Sequence, residues 1–439
     1  ELDLSLDDGA SIAAHYWNGG VLPLFGPFSV GFGQAKVAGG GASINGALFW
    51  PLPPNKRMQW VDALPGSVYS SRAYDCCFET YSKFLNVQAE EHDGSNIDSF
   101  KMYEGSTSLG WRIEAAARAV TSCTNSNRCC TGCPKNSKNS IFGSLFQKSV
   151  SVQSQLALST GTFVRGFQRR GEFWRVSLVN DKGLSEVYTS NLVLAAGATE
   201  SARLLRRSGL SKIAGRNFEF HLNFRLPVLF DQSIQAERGT IFTHQVQEFL
   251  PDGYLMMASN FNKNSLLAAM NRCPPTLIRH FLERLDRSAL YTVMVDPGVK
   301  ASLGWLGGQS FGRWSWDSKA RSLVREALKN LVKLAFASGG RGIVLPITRS
   351  SSLVNSEKEA FDLIDRCRDS DLSAISVHGF SSCNMGLNSD DSVVDVEGRV
   401  WGEKNLYVVD SSVLPSATTE SPQGTIISTA ASLAKVHAG

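Results

Sequence analysis

Short apolar runs closed by glycine, rather than long amphipathic helices, organise most of this chain. Residues 192–196 of N-L-V-L-A-A-G form an unbroken apolar run, the pattern of a strand buried on both faces. Gly197 makes the turn after it, residues 201–207 take helical spacing, and Gly209 stops the helix. Just upstream, T-F-V-R-G-F-Q and E-F-W-R-V-S-L-V-N-D-K-G read as paired strands, the second ending in an Asp-Lys-Gly turn. Residues 406–409 predict another buried strand with Asp410 at its carboxyl end, and residues 418–436 a helix entered through Ser421 and Pro422. Farther inside the chain, Arg321, Arg325, Lys329 and Lys333 recur at every fourth position, opposite Val324, Leu328, Leu331, Val332 and Ala335. That predicts an amphipathic helix whose basic row is a solvated face or a contact for an acidic partner or anionic surface. Trp305, Phe311, Trp314 and Trp316 are expected in the core.

Composition narrows the class. The 439 residues are 43% hydrophobic and 19% charged, a globular balance, and the length favours two interleaved domains over one. No run of eighteen apolar residues exists, so no transmembrane segment is expected. A net charge of +4 without a basic run argues against nucleic acid as a partner. Nine cysteines, an odd number with adjacent pairs at Cys76-Cys77 and Cys129-Cys130, fit mostly reduced thiols. The sequence opens at Glu1 without methionine or an apolar leader, so a targeting signal is expected to be removed or outside it, and the compartment stays open.

Four stretches carry candidate chemistry. In K-V-A-G-G-G-A-S-I-N-G, Gly39, Gly40 and Gly41 allow a backbone to press against a ligand, or simply to turn tightly. The turn at Gly197 can hold a phosphate or an adenosine. Asp410, at the carboxyl end of a buried strand, is placed to bind a cofactor hydroxyl or to cap the next turn. The helix entered at Pro422 aims its N-terminus at whatever the sheet holds, which suits partial negative charge. Finally, V-H-G-F-S-S-C-N-M-G surrounds His378 with small residues. It is either a histidine in a tight loop or a catalytic base facing a flat cofactor.

The stretches A-G-G-G-A-S-I-N-G, L-A-A-G-A-T-E-S-A-R-L-L-R-R-S-G, H-G-F-S-S-C-N-M-G and G-R-V-W-G-E-K-N-L-Y-V-V-D-S-S-V-L-P-S occur in that order. Together they resemble the successive signatures of the glucose-methanol-choline (GMC) flavin oxidoreductases, at family spacing over residues 36–439. C-C-T-G-C-P-K-N-S-K-N-S at 129–140 is similar to the branch holding bacterial cholesterol oxidases, long-chain alcohol oxidases and related sugar dehydrogenases. The resemblance implies an α/β fold with a Rossmann-like FAD-binding domain of the glutathione-reductase type, assembled from residues 1–50, 155–225 and 375–439. Residues 51–154 and 226–374 would form a substrate domain, an antiparallel sheet flanked by helices. Carried over onto this sequence, Gly40, Asn45 and Gly46 would lie along the flavin, with Gly39, Gly41, Ser43, Pro422 and Gln423 also among the FAD-binding residues. Val164, Ala196 and Gly197 would lie near the adenosine half, and Asp410 with Ser411 at the phosphates or ribityl chain. His378 would take the hydroxyl proton of an alcohol, sugar or sterol as hydride leaves for flavin N5, and flavin and substrate would fill the space its small neighbours leave.

Two departures accompany the resemblance. Where the family has a second His or Asn before the proline of the last helix, this sequence has Ser421, which cannot act as a base near neutral pH. His378 would then work alone or through a water bridged to Ser421, or the chemistry would be altered. The family's G-x-G-x-x-G turn for the FAD pyrophosphate is absent from this sequence, so a truncated or processed chain, or a separate N-terminal fragment supplying that turn, is expected. The rival readings are a flavin-free scaffold or binding subunit and a flavin-dependent lyase. Cys123, Cys129, Cys130 and Cys133, the last followed by Pro134, have spacing used for iron–sulfur ligation. Some sugar dehydrogenases of the family carry such a cluster, which would pass electrons to an acceptor protein. Zinc, or plain buried thiols, are the alternatives.

Overall fold

Along residues 218–230, apolar Phe218, Phe220, Leu222, Phe224, Leu226 and Val228 alternate with Glu219, His221, Asn223 and Arg225. A strand sends alternate side chains to opposite faces, so this pattern separates an apolar face from a polar one. In the computed structural model, which describes residues 7–89, 96–146, 156–348 and 352–438, the apolar set lies in the main hydrophobic core. Helix Ser318–Ala337 covers that face with Val324, Leu328, Leu331, Val332 and Ala335, the stripe its periodicity predicts. Its basic row does not stand free. Arg321 and Arg325 pair with Asp369 at 2.9 and 3.5 Å, and Lys329 pairs with Asp365 at 2.7 Å, so carboxylates of the same chain engage three of its four members. Of the four aromatic residues expected in the core, Trp314 is buried, whereas Trp305, Phe311 and Trp316 are half-buried.

The long strand Leu222–Phe230 is the axis of a thirteen-stranded mixed sheet. Ser288–Val295 runs antiparallel to it, and Tyr254–Ala258, His244–Val246 and Ile113–Ala115 follow in turn, each antiparallel to the strand before it. Strands Val30–Phe32 and Ala374–Ser376 pair in parallel within the same sheet, which draws residues near the start of the chain toward His378.

A separate parallel pair joins Leu192–Leu194 to Leu406–Val408, within the two apolar runs marked as strands, but the first is not buried on both faces, since Val193 is 54% exposed. Helix Gly197–Arg207 begins at the turn itself, four residues before the expected start, and helix Gln423–Ala438 begins one residue after Pro422. The expected strand pair is present as Phe163–Arg170 and Phe173–Asn180, and a third strand, Gly183–Thr189, extends it. That third strand carries exposed side chains along nearly all its length, so it shows no apolar alternation to reveal it. The expected division at 154/155 lies outside the described residues. All nine cysteines are free thiols, and among the described residues no helix is long and apolar enough to cross a membrane.

Candidate active site

Strand Gly379–Phe380 pairs antiparallel with Phe218–Phe220, matching Phe220 with Gly379. The next residue on each side, His221 and His378, therefore face one another. Their rings meet edge to face with centroids 5.1 Å apart, and the two Nδ1 atoms are 3.0 Å apart. His221 is fully buried, and its Nε2 donates to the carbonyl of Thr418, just ahead of the last helix. Burial pushes His221 down to about 4, and burial together with His221 holds His378 well below the ordinary histidine range. Both rings are therefore neutral near pH 7.

Neutrality makes the hydrogen-bond chain directional. A neutral imidazole has one N–H and one bare nitrogen. The Thr418 carbonyl can only accept, so the His221 proton sits on Nε2 and its Nδ1 is bare. That Nδ1 accepts from His378, so the His378 proton sits on Nδ1. Nε2 of His378 is left unprotonated, as a proton acceptor must be.

Around this pair the chain clamps the entry to helix Gln423–Ala438. Glu219, two residues before His221 on the same strand face, accepts from the Ala417 amide at 2.7 Å. Burial raises that carboxyl to about 7, with Lys300 3.9 Å away. Asn45 donates to Oε1 of Gln423, tying the glycine-rich stretch to the helix start. Lys138 fastens the same stretch from beneath, donating to the carbonyls of Ser43, Asn45 and Cys129 at 2.7, 3.0 and 2.9 Å. Gly39 and Gly40 hold φ of 87° and 58°, where side-chained residues are strained, and a Cβ at Gly40 or Gly41 would meet open space. Gly46 instead packs against the Phe242 ring, where a Cβ would come within 2.3 Å.

Four polar atoms in this neighbourhood are buried without a partner among the described residues: Trp50 Nε1, Ser381 Oγ, Glu420 Oε2 and Gln423 Nε2. Buried polar atoms are normally satisfied. Orphans beside an open glycine backbone fit a hydrogen-bonding ligand such as the flavin end of FAD. Glu420, raised by burial to about 8, is a neutral carboxyl near pH 7.

Asp410 is used internally. One carboxylate oxygen accepts from the Gly197 amide at 2.9 Å and from Ser201 Oγ at 2.5 Å, and the other caps Ser412 N at 2.8 Å. It thereby locks the turn after one parallel strand to the turn after the other. Ala196 N donates to Ser201 Oγ, and the Ser411 carbonyl accepts from Ser381 N. Val164 lies in the strand Phe163–Arg170 and packs against the core under the parallel pair. Ser421 is buried between Thr418 and Pro422, but the histidine's partner is His221. No motif pointed to His221. The signal that was present is a histidine, two residues after Glu219, in the buried alternation F-E-F-H-L-N-F.

Two expectations are corrected. Gly379 is small because the Phe218 and Phe32 rings would lie 2.7 and 2.9 Å from its Cβ, and Gly386 because Ser392 would lie at 2.4 Å. Protein atoms, not a ligand, claim that space. The iron–sulfur site also fails. Cys129 accepts from Arg118 at 3.7 Å, Cys133 from Ser137 N at 3.3 Å, and Cys123 pairs with Thr240 at 3.5 Å. Burial raises the Cys129 thiol and pushes Cys130 up to about 12, as for ordinary buried thiols. Among the described residues, no three Cys, His, Asp or Glu side chains group in a way that could hold a metal ion.

Comparison with known proteins places this geometry. Residues 13–223 and 312–430 match the N- and C-terminal models of GMC oxidoreductases. An uncharacterised GMC-type oxidoreductase of Sinorhizobium fredii is 25% identical over 448 residues, 97% of this chain and 85% of the relative. A long-chain-alcohol oxidase of Arabidopsis thaliana is 22% identical over 463 residues, 97% of this chain but only 62% of the oxidase. Among solved structures, pyridoxine 4-oxidase from Mesorbium loti superposes with a TM-score of 0.72 at 17% identity, covering 100% of this chain and 92% of that one. At that identity the likeness speaks for the fold.

Proposed function

Since the chain belongs to the GMC oxidoreductase family, we propose that it is an FAD-dependent oxidoreductase acting on a CH–OH group, with His378 as the base. The observation that carries this reading is the chain Thr418 carbonyl, His221, His378, which ends in a bare Nε2. FAD, when bound, supplies the hydride acceptor. His378 Nε2 takes the hydroxyl proton, so the alcohol leaves as a carbonyl compound one proton and one hydride poorer. General-base help of this kind is worth on the order of a hundredfold or more. Because burial keeps His378 unprotonated well below pH 6.5, the base stays ready under mildly acidic conditions.

In this reading Gly39, Gly40, Gly41, Ser43, Asn45, Gly46, Pro422 and Gln423 form the bed for the flavin, with the unpartnered Gln423 Nε2 and Ser381 Oγ as donors. Ala196, Gly197, Asp410, Ser411 and Val164 belong to the adenosine and phosphate side, Asp410 by holding the turns in place. Residues 1–50, 155–225 and 375–439 make the cofactor part, and 51–154 with 226–374 the substrate part. The substrates named for its relatives, long-chain alcohols and pyridoxine, both present a primary alcohol.

Anaerobic mixing of the yellow protein with alcohols tests the proposal. Flavin absorption should bleach on substrate addition and stay unchanged in His378→Ala. A protein that carries no flavin in its complete assembly refutes oxidation and leaves the scaffold reading. Turnover to a product of unchanged oxidation level leaves the lyase reading.

A further inference from the structure

The polar face of the long strand continues past His221 to Asn223 and Arg225. Cross-strand partners share a face of a sheet. Arg225 pairs with Thr292, Thr292 with Met257, Met257 with Gln245, and Gln245 with Glu114, so one row crosses five strands. Met257 belongs with Leu255 and Met294 to a small apolar cluster on that face, apart from the main core beneath helix Ser318–Ala337.

This row is polar and unsatisfied. Arg225 is half-buried, and no hydrogen bond or ion pair holds it among the described residues. Burial alone moves its guanidinium, down to about 10, with no carboxylate contributing. Thr292 Oγ1 and Gln245 Oε1 are buried without partners in the same row, at 6% and 0% exposure. Arg225 is thus unpaired among the described residues, and its five donors in a planar fork match a carboxylate or phosphate. Elsewhere in the chain the arginines around Asp369 show the ordinary alternative, pairing within the protein.

We propose that Arg225, with Thr292 beside it, forms the far end of the substrate site and binds an oxyanion carried by the alcohol. The inference rests on the reading of His378 as the base, because it takes the near end of the substrate to lie there. Four residues of strand separate His221 from Arg225, roughly 13 Å. Hydroxyl and oxyanion are then on the order of 10 Å apart, bridged by an apolar spacer against Met257, Met294 and Leu255. The substrate class is an ω-hydroxy carboxylate or a hydroxyalkyl phosphate of medium length.

The test is calorimetric titration of the FAD-loaded protein with decanoate, decyl phosphate and decan-1-ol. One of the two oxyanions should bind at least 30-fold tighter than decan-1-ol, and which of them does so identifies the group. Arg225→Met should erase that preference while melting no lower than the parent, since it removes an unpaired charge. Arg225→Lys keeps the charge without the fork and should fall between. Equal binding of all three ligands, or a preference that survives Arg225→Met, overturns the proposal. Arg225-dependent binding of decanoate without bleaching by 10-hydroxydecanoate supports the oxyanion site and refutes the catalytic reading. Bleaching by decan-1-ol with no anion preference overturns the oxyanion site and leaves the catalytic reading intact.

Discussion

Replacing His221 by Phe tests the directional chain of protons at its middle link. Phenylalanine keeps a flat ring of similar size against Phe380, whose centroid lies 5.1 Å from that of His221, so packing survives. What disappears is the acceptor for His378 Nδ1–H and the donor to Thr418. A side-chain hydrogen bond contributes roughly 1 to 1.5 kcal/mol net. Losing one that selects a tautomer therefore shifts the ratio of the two His378 tautomers about tenfold toward the one that carries its proton on Nε2. If the freed ring also turns away, the loss approaches the full value of a general base, roughly a hundredfold or more. The assay is the rate of flavin bleaching on anaerobic rapid mixing between pH 5 and 9. His221→Gln offers one amide N–H to Thr418 and one carbonyl to His378, so it should recover most of the rate. A merely structural role would not produce that recovery. Bleaching by the Phe variant at the parental rate across the pH range, or a Gln variant no better than Phe, refutes the relay.

Acid should destabilise the protein through His221. Its folded value of about 4 lies below the ordinary 6.5, so the stability it contributes is present above pH 6.5 and is lost as pH falls toward 4, by about 3 kcal/mol. Glu219 and Glu420, raised to about 7 and 8, act oppositely and lose stability as pH rises above 4.5, so the readout is the difference between denaturation midpoints of the parent and His221→Phe. Asp410→Ala removes the acceptor of Gly197 N, Ser201 Oγ and Ser412 N and should cost about 3 kcal/mol in urea unfolding, with Asp410→Asn losing less; an unchanged midpoint means the two turns are held by something else. Metal analysis of the native protein should find no stoichiometric iron, and Cys133→Ser should leave the visible spectrum as it was.

Much of the architecture was legible because it rests on local pattern. The runs at 192–196 and 406–409 marked two strands that do pair in parallel, although Val193, Ala195 and Ala196 are exposed, so the first is not buried on both faces. The stripe on Ser318–Ala337 announced its buried face in the same way. The strand Gly183–Thr189 escaped because it is stabilised by backbone pairing while its side chains face water. At the site, glycine spacing marked Gly39 to Gly41, and His378 stood out among small residues. The reason given for that smallness failed, since Gly379 yields to the phenylalanines at 218 and 32.

By itself the sequence determined the strand pair within 163–180, the two runs that pair in parallel at 192–194 and 406–408, the apolar stripe of helix Ser318–Ala337, and that a histidine sits in a loop built of small residues. These follow from period and side-chain size, which are local properties. Only the tertiary structure decided that His221, 157 residues from His378 along the chain, is its partner, that Thr418 sets the direction of their protons, and that Arg225 pairs with nothing among the described residues. Strand register and the crossing of distant loops create those relations, and no window of sequence contains both ends of them.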